Sequence, residues 1–173
     1  SQPPLRIGFI APMTGASANI GVEGLKGFSF VVADRNEAGG VLGRRIEVIT
    51  RDDEAKSEAC LGALQALVAD GVRIVVLHTT SAAGALAVEW AKESEVLLIT
   101  HTMSDPRYGG LDDALIHFGG KSGTFGNLIG EFASLNGVGR VFVAIDSRNA
   151  SYGKAILDGF QKGAPAARIL ELR

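Results

Sequence analysis

Apolar residues recur along the chain in two alternating rhythms. Short runs dense in Val, Ile and Leu, namely LRIGFIA (5–11), RIEVIT (45–50), VRIVVL (72–77) and EVLLIT (95–100), are each followed by a longer stretch of helical period. ALIHF (114–118), GRVFVAI (139–145) and ARILEL (167–172) continue the series. The pattern predicts strands at these runs and helices over 21–38, 56–70, 82–93, 122–136 and 151–163. Strands so uniformly apolar are buried on both sides. With helices between them they predict an α/β fold, a parallel sheet flanked by helices on both faces.

Glycines and acids punctuate these elements. Gly39, Gly40 and Gly43 in NEAGGVLGRR tolerate positive φ and so can close the first helix and turn the chain into the second strand. DDEAKSEA places acids at the start of the second helix, where the macrodipole favours them. No internal repeat, low-complexity segment or Pro-rich linker interrupts the series. HFGGKSGTFGN, rich in glycine and small polar residues, marks a change of lobe near residue 119. Residues 1–118 are therefore expected to form a first α/β lobe and 119–173 the beginning of a second.

Composition removes several function classes. The 173 residues are 46% hydrophobic and 21% charged, enough to bury a sizeable core. Seventeen Lys and Arg against 19 Asp and Glu leave a net charge of −2 and no basic stripe, so no nucleic-acid partner is expected. Cys60, the single cysteine, sits at an apolar position of a helical segment and reads as core packing. No apolar run approaches the roughly 20 residues of a spanning helix, so no direct membrane insertion is expected. The N-terminal SQPPLRIGF lacks the basic-then-apolar pattern of a secretory signal. By composition the chain is cytosolic or a mature exported form.

In an open α/β sheet, ligands bind beyond the carboxyl ends of the strands. The loops there are APMTGASANIG (11–21), RDDEAKS (51–57), HTTSAAG (78–84), HTMSDPRYGG (101–110) and DSRNASYG (146–153). Four of the five are rich in Ser, Thr, Asn and Gly, and the helices that follow aim N–H groups at the same crevice, which suits an anion or carboxylate. Ser81 caps the third helix or meets a ligand, and Thr79 and Thr80 are left over by the capping reading. No G-x-S-x-G elbow surrounds Ser81 and no His–acid pair can be assigned to it, which disfavours a nucleophile. Asp52 and Asp53 stand where a phospho-acceptor or Mg²⁺ site would, but helix capping is the favoured reading. His78, His101 and His117 lie at or near strand ends, and 78 and 101 could face one another across neighbouring strands. Without H-x-x-x-H or carboxylate spacing they predict pocket wall rather than zinc. SGTFGN lacks P-loop spacing and GVEGLKG is no dinucleotide fingerprint, so no metal and no cofactor is expected.

Taken in order, IGFIAPMTGASANIGVEGLKGF, NEAGGVLGRRIEVITRDDEAKSEA, ADGVRIVVLHTTSAAGALA, EVLLITHTMSDP and ASYGKAILDGF resemble the periplasmic type I solute-binding proteins of the leucine/isoleucine/valine-binding group, which serve ABC importers. The resemblance runs from about Leu5 to Phe160. It implies two α/β lobes that clamp a ligand between them, a periplasmic location, and ABC importer membrane subunits as partners. At about 150 residues per lobe, the chain is expected to hold one lobe and an incomplete second. By the same resemblance Ser81, with neighbouring backbone N–H groups such as that of Ala82, receives a ligand carboxylate. Thr102 and Ser104 lie on a loop that holds an amino acid's carboxylate or ammonium, Tyr152 matches an aromatic from the second lobe, and Ile20 forms an apolar wall. The acid that usually meets the ammonium would lie beyond Arg173. His78 and His101 replace small residues or proline, and such donors make an aromatic acid a rival to an aliphatic amino acid.

The expected function is thus non-enzymatic binding of a small carboxylate for import. A ligand-binding sensory domain of a receptor or regulator is the alternative, and an α/β hydrolase or phosphotransfer domain is the rival from the enzyme class.

Overall fold

A computed structural model describes residues 2–110 and 113–171. The chain divides into two compact units. The first holds residues up to Met103 together with the strand at 115–117, and the second holds Ser104–Gly110 and the chain from Phe118 onward.

The first unit is a sheet of β1 (Leu5–Ala11), β2 (Ile46–Asp52), β3 (Ile74–Leu77), β4 (Leu97–Thr100) and β5 (Leu115–His117). Its strand order is β2-β1-β3-β4-β5, and every neighbouring pair is parallel. Helices α1 (Ala18–Glu37), α2 (Ser57–Ala69) and α3 (Ala85–Ala91) make the crossovers. Successive residues of a strand point to opposite faces, so β1 shows which helix covers which face. Phe9 stacks on Phe28 of α1, with ring centroids 5.3 Å apart. A Cβ on Gly8 would stand 2.7 Å from Leu67 Cδ1 of α2. Helices therefore cover both faces, with α3 packed beside α2. Phe9, Ile10, Leu64, Leu67, Leu77 and Leu98 are fully buried between these layers, each worth roughly 1.5–3 kcal/mol of apolar burial.

The chain leaves β1 towards β2 on one side and returns through β3 on the other. The loops after β1 and β3 thus diverge at a topological switch point, where open α/β sheets place their ligands.

The second unit contains α4 (Ser122–Leu135), β6 (Arg140–Val143), α5 (Ala150–Gly163) and β7 (Arg168–Glu171), with β6 and β7 parallel. Residue 172 of the expected last strand lies outside the described residues. Phe160 and Ala164 pack with Ala133, Val141 and Ile169 in its core. Glycines let α4 and α5 pack backbone to backbone: a Cβ on Gly126 would stand 2.0 Å from Ile156 O, and one on Gly159 2.1 Å from Gly123 O. Asp105 and Asp146 each accept the N–H two residues on and grip the guanidinium of Arg107 or Arg148, closing a 3₁₀ turn. The Arg148 guanidinium holds the Asp146 carboxyl down at about 2.

Two local expectations are corrected. The third helix begins at Ala85, after a turn over 81–84, and its N-cap is Gly84 with no side-chain cap. Ser81 is not the capping residue, and Thr80 Oγ1 accepts the Ala83 N–H at 3.1 Å within the turn that precedes the helix. Asp52 and Asp53 do not cap α2, whose N-cap is Lys56, again without a side-chain bond. Their carboxylates are drawn to nearer donors in the loops on either side.

Candidate functional site

The residues at the switch point are braced from several directions. Asp52, at the end of β2, accepts the Met13 N–H at 2.8 Å and the Thr14 hydroxyl at 2.6 Å, which ties down the loop after β1. His78 follows β3 directly, with its backbone N–H on Ile10 O at 2.9 Å. Its ring is buried, stacks on Phe9 at 5.6 Å, and places Nε2 3.0 Å from Ile20 O at the start of α1. A carbonyl can only accept, so Nε2 carries the proton. Burial, then the charge of His101, hold the His78 imidazole below its ordinary value, and the bond to Ile20 opposes them.

His101, exposed at the end of β4, lies against His78 with ring centroids 4.9 Å apart and planes tilted by 48°. Phe28, Phe9, His78 and His101 form one column of rings running from the helix–sheet interface to the surface. His117 stands apart from this column, its Nε2 donating to Met103 O at 2.6 Å.

The turn after His78 is fixed by its neighbours. Thr102 Oγ1 donates to Thr79 O at 2.9 Å, Ser57 Oγ donates to Ala82 O at 2.8 Å, and Thr100 Oγ1 donates to Leu77 O at 2.8 Å. Met103 fills the space beside Gly84, where a Cβ would meet its Sδ and Cε at 2.5 Å. Within the turn Ser81 is 2% exposed while Ala82 is only half-buried, so the polar surface it presents is backbone. The Gly84 N–H is held by Thr80 O and the Ala83 N–H by Thr80 Oγ1, whereas the Ala82 N–H donates to no group among the described residues.

Of the sequence candidates, His78, Ile20 and His101 are brought together around one imidazole, and Ser81, Ala82 and Thr102 around one turn. Ser104 and Tyr152 belong to the second unit. Ser104 is buried and its carbonyl accepts both the N–H and the hydroxyl of Ser122, at 2.8 and 2.9 Å. Tyr152, 40% exposed, lines an apolar groove of about 570 Å³ with Ile145, Ile156 and Phe160. Among the described residues no cluster of His, Cys, Asp and Glu could hold a metal ion, and no helix is long and apolar enough to cross a membrane.

Three supporting roles around the candidate site escaped sequence reasoning. Gly24 of α1 lies under the His78 ring, where a Cβ would stand 2.1 Å from Nε2; its only signal was a glycine inside a helical run. Asp52 organises the first loop and Met103 supports the Gly84 turn, and neither carries a local motif for those tasks.

The model of the periplasmic binding protein family matches residues 4–169. A Leu/Ile/Val-binding protein of Rhizobium johnstonii is 29% identical over 170 residues, which cover 97% of this chain and 46% of the relative. The branched-chain amino acid transporter substrate-binding protein LivJ of Streptococcus pneumoniae, solved with isoleucine, matches with a TM-score of 0.85 at 27% identity, over 97% of this chain and 48% of that one. A solute-binding protein of R. palustris in complex with benzoate has the same fold, with a TM-score of 0.82 at 18% identity over 97% and 47% of the two chains. The chain spans about half the length of the relatives it matches. By its sequence over residues 4–169 and by its fold, the chain belongs to the periplasmic binding protein family.

Proposed function

We propose that the first unit is the ligand-binding lobe of an extracytoplasmic solute-binding protein that delivers a small carboxylate to an ABC importer. The relatives of comparable identity are Leu/Ile/Val-binding proteins, which makes a branched-chain aliphatic amino acid the first candidate ligand. The observation that carries the reading is the turn 79–84: it stands at the switch point, is braced from the loop after β4 and from α2, and leaves the Ala82 N–H without an acceptor among the described residues. Neutral donors of this kind hold a carboxylate without burying an unpaired charge.

Binding without turnover fits the same geometry. The His78 imidazole serves as wall and brace, its Nε2 donating to Ile20 O and its ring stacked between Phe9 and His101. The relatives matched by sequence are binding proteins as well. The Phe9–His78–His101 column favours a second reading of the ligand, an aromatic acid whose ring would extend the stack beyond His101.

Thermal unfolding in the presence of leucine, isoleucine, valine and benzoate tests both. A ligand selective for the folded state adds about 2.7 kcal/mol at 100 times its Kd. Stabilisation by the aliphatic amino acids alone supports the first reading, and by benzoate alone the second. If none raises the midpoint, the carboxylate site is rejected.

A further inference from the structure

Beneath the turn lies a buried polar cluster that the ligand contacts above do not use. Asp53, immediately after β2, is fully sealed from solvent, as are Thr79 and Cys60. Asp53 Oδ1 accepts the Ala55 N–H at 2.9 Å. Its Oδ2 and Thr79 Oγ1 are both buried and neither meets hydrogen-bond geometry with any partner, although the two side chains are close enough for the Thr79 hydroxyl to act on the carboxyl. Each orphaned polar atom costs about 1–3 kcal/mol, and a single hydrogen bond between these two would remove both penalties. The backbone that presents Asp53 is itself strained: Glu54 and Ala55 hold φ of 51° and 56°, the left-handed region that non-glycine residues avoid. The same corner reaches the turn at a second point, through Ser57 Oγ on Ala82 O.

We propose that Asp53 is a positioning residue for the ligand turn, its Oδ2 closing a hydrogen bond with Thr79 Oγ1 that fixes the backbone from Thr79 to Gly84. The inference deepens the carboxylate reading and rests on it for its functional meaning. The groups that face the carboxyl are Thr79 after β3, the Ala55 N–H in the loop, Asp52 from β2 and Cys60 from α2. Burial raises the Asp53 carboxyl above its ordinary value and the charge of Asp52 adds to this, against the Thr79 hydroxyl, the Ala55 N–H and the Cys60 thiol. Cys60 stays a thiol, since burial pushes its ionisation far up. When neutral, Asp53 donates its Oδ2 proton to Thr79 Oγ1. On ionisation that proton leaves to solvent and the Thr79 hydroxyl donates instead, but a buried charge remains with no cation among these neighbours. Raising the pH from 3.8 through the elevated value therefore loosens the turn.

Amide hydrogen exchange at Ala83 and Gly84, corrected for the intrinsic pH dependence of exchange, reads the turn directly. Asp53→Ala is expected to speed exchange there about tenfold while the β1 and β3 amides keep their protection. Asp53→Asn, which keeps one acceptor and supplies an N–H donor, is expected to match the unaltered chain and to lose its pH dependence. Titration with isoleucine and with benzoate is the second arm, weakened by Asp53→Ala and not by Asp53→Asn. The proposal is overturned if Asn and Ala behave alike, if the pH dependence survives Asp53→Asn, or if protection is lost throughout the first unit. Should neither probe bind the unaltered chain, the carboxylate reading fails, while the exchange comparison still decides the role of Asp53.

Discussion

His78 lies so close over Gly24 that a Cβ on that glycine would stand 2.1 Å from the imidazole Nε2. The ring cannot swing aside, because Phe9 and His101 hold its faces and Ile20 O its edge. Gly24→Ala is therefore expected to destabilise the first unit by about 1–3 kcal/mol, the usual cost of overpacking, despite the roughly 1 kcal/mol that alanine gains in a helix interior. Urea unfolding checks the size, and the Gly24→Ala, His78→Ser double variant should cost less than the sum of its parts. Additive losses would place the strain elsewhere.

The same ring predicts a pH dependence. The folded state holds His78 below its ordinary value of 6.5, so the unfolded chain binds the proton more readily. The stability this residue contributes is present above pH 6.5 and is lost as the pH falls through its lowered folded value, with a slope of at most about 1.4 kcal/mol per pH unit. His78→Gln should flatten the curve of unfolding free energy against pH in that window. An unchanged curve would assign the acid sensitivity to other groups.

Much of the fold was legible in the sequence because it rests on period. Uniform Val, Ile and Leu runs marked the strands, and the helices followed from spacing. Hydroxyl and carboxylate roles were less legible. Three hydroxyls in a row at Thr79–Ser81 look alike in sequence, and which one takes the Ala83 N–H is decided by a turn that Ser57, Thr102 and Met103 shape from distant positions. Asp52 reads as a helix cap until the register of β1 with β2 sets it opposite Ala11, within reach of the Met13 N–H. The pairing of His78 with His101 was accessible, since both end strands of one sheet. Gly24 was not, because nothing local says which side chain lies over it.

In the second unit, Gly126→Ala would drive a methyl into Ile156 O, 2.0 Å from the new Cβ. Backbone cannot yield as a flexible side chain can. The expected loss is about 1–3 kcal/mol from overpacking, seen as protease sensitivity and faster exchange in α4 and α5 while the first unit keeps its protection. Equal loosening of both units would contradict this account of the helix pair.

Thr102→Val removes the donor to Thr79 O and leaves a part-buried carbonyl unpaired. The expected cost is about 1 kcal/mol in unfolding free energy, accompanied by weaker binding of whichever carboxylate stabilises the protein. A variant that loses stability but keeps its affinity would separate the brace from the ligand site.

The carboxylate site is tested most directly by nitrogen-15 NMR titration of the chain with isoleucine and with benzoate. The account predicts that the Ala82 amide shifts most on binding, downfield as its N–H takes up a carboxylate oxygen, with smaller changes at Ser81 and Thr102. Binding that leaves Ala82 unmoved while other amides shift, or no shift with either compound at saturating concentration, would contradict it.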